Sequence, residues 1–409
     1  MAFFIIAFFV FGFLWEQFLL RLDIKRMSPR IPPELGKIYN AEDYARQQAY
    51  QKASSRFSQL SAALSFTIVL FVLSFGALGW LDDFLRGHTS HFLLLPLAFF
   101  GILLVASEIV HLPFRWYAVF TIEERFGFNN STPGLFIADF LKGMLLSLLI
   151  GGILLTAVLY IYQYTGGWFW LLAWLFISGF SLLMTFFYSE WIVPLFNKQT
   201  PLAAGELRTA IEAFADKAGF RLDNIYVMDG SKRSTKANAY FTGFGKKKRI
   251  VLFDTLMNEL GTTEIVAVLA HEIGHYKRKH IVKSMLISVA SMGVMCALLS
   301  FFLDSPRIAR ALGGEVASFH LGAIGFLLLF SPASEILHVI VNYISRKNEY
   351  EADGFAVRFG LGDALISGLK KISTKALINL NPHPLVVFCQ YSHPTLLQRI
   401  FRIKEARAG

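Results

Sequence analysis

A chain of 409 residues, 55% of them hydrophobic, with a mean hydropathy of +0.50, is too apolar to be a soluble globular protein. Its net charge of +10 does not mark a nucleic-acid binder, because the lysines and arginines cluster between apolar runs, as they do when charge sets membrane orientation. Cys296 and Cys389 have neither metal-site spacing nor the number that a disulfide framework requires.

Residues 2–20 are apolar, with no basic segment before them and no small-residue cleavage site after them. They read as a retained first membrane helix with its N-terminus outside, and not as a signal peptide. Apolar runs near bilayer length occur at roughly 3–20, 58–80, 92–111, 140–162, 168–193, 284–303 and 321–344, about seven spans in all. The first loop carries Arg21, Lys25, Arg26, Arg30, Lys37, Arg46, Lys52 and Arg56. The second sets only Arg86 against Asp82 and Asp83, and the fourth, 163–167, has no charge. The fifth, 194–283, is strongly basic and includes Lys246, Lys247, Lys248 and Arg249. Odd-numbered loops and the C-terminus are therefore predicted to face the cytoplasm, with Arg307 and Arg310 of the sixth loop running against the pattern. The N-x-S/T sequons at Asn129 and Asn130 fall in a cytoplasmic loop on this topology and are read as chance.

The fifth loop is the one long soluble piece. Residues 202–218 read as an amphipathic helix and 225–228 as a short strand. Residues 238–241 and 249–253 read as a hairpin turning near Gly243 and Gly245.

The stretch 262–280, TTEIVAVLAHEIGHYKRKH, reads as one helix. Thr262 or Thr263 can cap it, and Ile265, Val266, Val268, Leu269 and Ile273 supply an apolar face. His271 and His275, four apart, lie on one face and can reach a single ion, with Glu272 one step round beside it. Two imidazoles, an open coordination position and an adjacent carboxylate are what zinc-assisted hydrolysis requires.

A catalytic zinc needs a third protein ligand. In 345–353, SRKNEYEAD, Glu349 and Asp353 share a helix face. Glu349 suits the ligand role and Asp353 suits a place behind a ligand histidine, holding its other N–H, while Glu351 points away. Spacing alone leaves open that this is a solvated charged helix end. Glu335, His338, Asn342, Arg346, Glu349 and Asp353 also fall on one narrow stripe. Ionisable groups at membrane depth seldom face lipid, so the stripe, with Glu108, His111 and Glu190, predicts a wet cavity in the bundle. A transporter would leave the His-Glu-x-x-His pattern idle and would need paired inverted halves, which do not appear. A scaffold has no use for Glu272. Tyr276, Lys277, Arg278 and Lys279 place the site at the cytoplasmic surface and not within the lipid.

These residues resemble the integral-membrane zinc endopeptidases known as type 1 CAAX prenyl proteases. The matching segments are IEERFGFN at 122–129, ANAYFTGF at 237–244, HEIGH at 271–275, SRKNEYEAD at 345–353 and SHPTLLQRI at 392–400. The resemblance covers nearly the whole chain. It implies an all-α polytopic membrane protein, about seven helices around a water-filled chamber, with a small α+β gluzincin-like cytoplasmic domain. It implies one zinc ion on His271, His275 and Glu349, with Glu272 as general base and Asp353 supporting a ligand histidine. Asn238 and Ala239 would pair with the substrate backbone and Tyr240 would join them in binding substrate; His393 would stabilise the tetrahedral intermediate, and Arg399, also a substrate-binding residue, would serve the same region. Taken alone, the His-Pro-Thr at 393–395 could be an ordinary capped helix start. The expected divisions are 1–193 for the first five spans, 194–283 for the catalytic loop, 284–344 for the last two spans and 345–409 for the part completing the zinc site. The implied partners are a lipid bilayer and a peptide or protein substrate carrying a prenylated CaaX end, with no nucleic acid and a monomeric enzyme. The implied membrane is a bacterial inner membrane or endoplasmic reticulum, with the site facing the cytoplasm. Removal of misfolded membrane proteins without prenyl specificity is the alternative.

Overall fold

The computed structural model describes residues 1–28, 30, 31, 33–36, 38–220, 222, 224–242 and 249–408. Helix α1 (Ala2–Arg26) leads to α2 (Ala41–Ser74), whose start is fixed by Asn40 accepting from the Asp43 N–H. The span expected to run to residue 80 ends at Ser74. There the chain turns through Gly76, at φ +65°, into α3 (Ala77–Arg86). The turn holds because Gly79 passes the Gly313 backbone so closely that a Cβ would stand 1.9 Å from the Gly313 carbonyl carbon. Helix α4 (Leu94–Tyr117) continues into a π-helical turn, Ala118–Glu123. Helices α5 (Pro133–Thr165) and α6 (Phe169–Phe187) belong to one helical stretch that folds back at Gly166, at φ +52°. A second π-helical turn, Tyr188–Ile192, follows α6.

The soluble insertion comes next. It runs β1 (Gln199–Pro201), α7 (Glu206–Lys217), β2 (Asn224–Met228), β3 (Ala239–Thr242), β4 (Arg249–Phe253), α8 (Asp254–Glu259) and α9 (Thr262–Lys277). The strand order is β1-β2-β4-β3, with β2 and β4 parallel and the other pairs antiparallel. The expected hairpin is present, Ala239 facing Leu252 and Thr242 facing Arg249. Its turn at Gly243 and Gly245, and Lys246, Lys247 and Lys248, lie outside the described residues. Strand β1 has no sequence signature; three residues are too few to show alternation.

Helix α9 starts one residue earlier than expected. Gly261 is the N-cap, and the Glu264 carboxylate accepts its backbone N–H at 2.9 Å. The predicted single helix 262–280 is two. Lys279 adopts a left-handed conformation, φ 59°, and α10 (His280–Ser300) leaves in a new direction. Then follow α11 (Pro306–Ala311) and α12 (Phe319–Arg358). At 40 residues, α12 is roughly 60 Å long, twice the thickness of a hydrocarbon core, so it carries its C-terminal turns out of the bundle and into the soluble domain. Helices α13 (Gly362–Lys375), α14 (Pro384–Gln390) and α15 (Leu396–Ala408) close that domain.

Among the described residues, six helical stretches are long and apolar enough to cross a membrane. One of them, Pro133–Leu195, is the 63-residue stretch that doubles back at Gly166, so the crossings match the sequence reading. The helices present Phe3, Phe11, Leu145, Ile153, Leu286 and Ile336 outward, where a bilayer would cover them. The soluble domain has its own core of Ile211, Phe220, Ile250, Leu252, Leu256, Ile265, Leu269, Ile273 and Leu365. Each of these side chains contributes about 1.5–3 kcal/mol of burial.

Candidate metal centre

The site exists because α9 crosses α12 with almost nothing between them. Gly274 faces Ala352 there, and a Cβ on Gly274 would stand 3.0 Å from Phe355 Cβ and 3.1 Å from Ala352 Cα. This approach sets the histidines of α9 against the carboxylates of α12. His275 Nε2 lies 3.1 Å from His271 Nε2 and 3.2 Å from Glu349 Oε1, and His271 Nε2 lies 3.5 Å from Glu349 Oε2. Ligand atoms of the three residues all fall within 4.8 Å of one another.

The far sides of the rings bear on which nitrogen carries the proton. His271 Nδ1 is 2.9 Å from Asp353 Oδ1 and 3.3 Å from Arg399 Nη2; the shorter contact, to the carboxylate, assigns the proton to Nδ1 and leaves Nε2 its lone pair. His275 Nδ1 is 3.1 Å from His280 Nδ1. Glu349 Oε2 is buried, with His393 Nδ1 3.1 Å away and Arg399 Nη1 3.5 Å away. Two imidazole nitrogens and a carboxylate oxygen thus converge on one point. That arrangement is poor for hydrogen bonding and matches the donor set of a catalytic zinc.

The other expected residues are gathered here, some in altered settings. Glu272 lines the same cavity of about 650 Å³, as do Asn238, Ala239, Tyr240, His393 and Arg399. His393 sits at the mouth, 65% exposed, with the Glu349 carboxylate lifting its imidazole above the ordinary value. The ordinary-helix-start reading of 393–395 also describes the structure. Thr395 and Gln398 cap α15 reciprocally, Thr395 N–H to Gln398 Oε1 at 2.9 Å and Gln398 N–H to Thr395 Oγ1 at 3.3 Å. Arg399 is held by carboxylates within the site. Its guanidinium forks onto Asp353, Nε to Oδ2 at 2.9 Å and Nη2 to Oδ1 at 2.6 Å, with Nη1 3.5 Å from Glu349 Oε2.

Strand β3 is the sheet edge that meets the cavity. Phe253 N–H donates to the Asn238 carbonyl, so by antiparallel alternation the peptide group of Ala239 faces outward. Its N–H is taken at 2.9 Å by the Asn238 side chain. The Tyr240 hydroxyl lies 3.4 Å from Ser189 Oγ, in the π-helical turn, and from Gln199 Nε2, which ties the edge strand to the bundle.

One sequence reading needs correction. The α12 stripe does not form one continuous lining with the site. Asn342 donates to the Cys389 carbonyl, and Arg346 donates to the Val387, Phe388 and Tyr391 carbonyls, so both fasten α14 and its C-terminal end. Glu335 lines a different cavity, about 610 Å³, together with Glu16, Ser65 and Cys389. His338, with a side chain 68% exposed, lies 4.0 Å from Glu335. From the site the cavity instead runs between α6 and α10, where Ser178, Ser181, Thr185, Ser284 and Ser288 stand among the apolar side chains of Leu182, Met285 and Met292. Deeper in, Trp174 closes on α10, its Nε1 donating to the Val289 carbonyl at 2.8 Å. Glu351, off the face of Glu349, meets His280 Nε2 at 3.2 Å. Glu108 instead pairs with Arg115, His111 bonds Ser65, and Glu190 pairs with Arg249. For Gly274 the sequence offers one signal, a small residue on the helix face that carries the histidines; for His280 it offers none, because the break at Lys279 brings it to His275.

Residues 21–198 match a family described as the CAAX prenyl protease N-terminal region, five membrane helices, and residues 201–407 match peptidase family M48. The CAAX prenyl protease 1 homolog of Oryza sativa is 33% identical, over 98% of this chain and 97% of that protein. CAAX prenyl protease 1 of Saccharomyces cerevisiae is 34% identical, over 95% of this chain and 92% of that protein. The chain belongs to peptidase family M48. The crystal structure of S. mikatae Ste24p superposes with a TM-score of 0.92 at 33% identity, covering 98% of each chain. This M48 member is a multi-pass membrane metalloendopeptidase, acting on peptide or protein substrate with a bound metal.

Proposed function

We propose that this M48 enzyme holds one zinc ion on His271, His275 and Glu349 and cleaves prenylated CaaX substrates near their C-terminus. The observation that carries the reading is the convergence of the three donors, Glu349 Oε2 among them without a hydrogen-bond partner, beside Glu272 and the open edge of β3. The substrate class rests on the names of full-length relatives. A zinc ion held there supplies Lewis acidity, acidifying water and polarising the scissile carbonyl. Glu272 takes the proton of the attacking water and delivers it to the leaving amine. Asn238 gives up Ala239 N–H, so that the substrate backbone adds to β3 as a further strand. His393, at the mouth, donates to the developing oxyanion. Arg399 serves the site through Asp353, which it holds against His271. The basic odd-numbered loops favour a cytoplasmic site, with 194–283 and 345–409 forming the catalytic domain around spans in 1–193 and 284–344.

Purified enzyme given a farnesylated CaaX peptide and its unlipidated twin tests the substrate class. The farnesylated peptide is expected to be cut at least about tenfold faster, a difference of about 1.4 kcal/mol. Equal rates would point to a membrane-protein protease without prenyl specificity.

A further inference from the structure

The two candidate ligand histidines are held differently. His271 has a carboxylate, Asp353, on its Nδ1. His275 has another imidazole there: His280 Nδ1 at 3.1 Å, the rings 5.1 Å apart at 75°. The His280 side chain is 3% exposed, and its Nε2 stands 3.2 Å from Glu351 Oε2. We propose that His280 is a positioning residue of the metal site, orienting the His275 ring through a hydrogen-bonded line that ends on Glu351. The inference rests on the reading that His275 binds the metal.

The proton placement follows from the end of the line. An ionised Glu351 only accepts, so His280 Nε2 carries a hydrogen. Neutral His280 then has a bare Nδ1, which accepts from His275 Nδ1–H. That leaves His275 Nε2 with its lone pair directed at His271 Nε2 and Glu349, where the metal would sit. One carboxylate thus fixes both rings, as outer carboxylates do behind metal-binding histidines.

The backbone is shaped for this contact. Were α9 to continue unbroken, residue 280 would lie five positions past His275, about 140° round the helix. Lys279, at φ 59° and ψ 30°, breaks the helix and returns His280 to the His275 ring. A lysine in that conformation persists only where its surroundings hold it. Neither His280 nor Glu351 meets Glu349 or Asp353 through these bonds, so the line is a support separate from the Asp353–Arg399 pair.

The test is metal affinity, read by competition with a chromophoric zinc chelator on purified full-length protein. His280→Leu removes the acceptor and should weaken zinc binding about 10–100-fold. His280→Asn restores an amide oxygen near the Nδ1 position and should stay within about threefold of the parent. Glu351→Leu, at a part-exposed position that tolerates substitution, should weaken binding several-fold. Metal-free thermal unfolding of all three should match the parent, and the cobalt-substituted His280→Leu protein should show a shifted visible spectrum. Parent-like affinity in His280→Leu and Glu351→Leu overturns the proposal, as does equal weakening in His280→Leu and His280→Asn, which would mean packing alone. If His280→Leu does not fold, Glu351→Leu and His280→Asn decide. His275→Ala separates the two claims. If it loses zinc while His280→Leu keeps it, only the positioning role fails; if it keeps zinc at parent affinity, the ligand reading fails and takes the positioning role with it.

Discussion

Beside each end of α12 a buried carboxylate, Asp82 of α3 at one end and Asp353 of α12 itself at the other, joins an imidazole and a guanidinium. At the N-terminal end Asp82 accepts from His320 Nε2 at 2.7 Å and from Arg86 at 2.9 Å; both the aspartate and the histidine are fully buried. At the other end, roughly 45–50 Å along the helix, Asp353 pairs with His271 and Arg399. The chemistry of the two groups is nearly the same, and the surroundings of the second ring nitrogen separate them. His320 has Phe99 against its ring at 4.4 Å, and its Nδ1 is enclosed with no partner. The second nitrogen of His271 opens onto a cavity and faces His275 and Glu349. A carboxylate–histidine–arginine cluster is therefore only a brace. It becomes part of a reactive site where the braced ring aims a free lone pair at other donors beside a space for substrate.

The sharpest way to break that contrast is through Glu272, which belongs to the metal end alone. Glu272→Gln should lower kcat by about 10²–10⁴-fold while zinc content is unchanged. Activity within about tenfold of the parent would remove Glu272 as the general base. The next contrast substitutes the same residue type at each end. Asp353→Asn should weaken zinc binding about 10–100-fold. Asp82→Asn should leave activity per folded molecule unchanged and lower stability by about 3–5 kcal/mol, because it strands buried partners. Chelator competition and denaturant unfolding on both variants measure the two effects. Reversed outcomes would mean that the brace and the site have been misassigned.

A smaller effect is expected at Glu264, which holds the start of α9 by accepting from Gly261 N–H, Ser367 and Lys371. Burial pushes its carboxyl up, but Lys371, Ser367 and the Gly261 N–H more than reverse this, and the group lies below its ordinary value of 4.5. Its stabilising effect is therefore complete above that value and fades as pH falls through the lowered one. Glu264→Gln should cost about 1–2 kcal/mol near neutral pH, and the difference from the parent should shrink in acid. A constant difference would mean that the lost ionic partners are not its cause.

Much of this was legible in the sequence because it rests on short-range periodicity. The spacing of His271, His275, Glu349 and Asp353 places each pair on one helix face, and the α9 and α12 periods survive intact in the fold. Apolar runs of bilayer length gave the crossings. The misreadings share one origin, in partners brought by distant segments. Asn342 and Arg346 looked like chamber lining because nothing in the sequence says that α14 would bring carbonyls to them. The hydroxyls that line the way from the site are dispersed over α6 and α10, where serine is too common a residue to signal anything. Glu351 was set aside because its helix face differs from that of Glu349. Its partner His280 reaches it only through the left-handed break at Lys279, a conformation that no propensity assigns to lysine. Gly274 read as an unremarkable residue until the backbone of Ala352 was found against it.

The central claim is that His271, His275 and Glu349 share one zinc ion, and X-ray absorption at the zinc edge of the purified protein tests it most directly. The expected result is about one zinc per chain with two imidazole nitrogens near 2.0–2.1 Å, a carboxylate oxygen near 2.0–2.2 Å and no sulfur. A sulfur shell near 2.3 Å, or a spectrum unchanged in Glu349→Ala protein that retains its zinc, would contradict it.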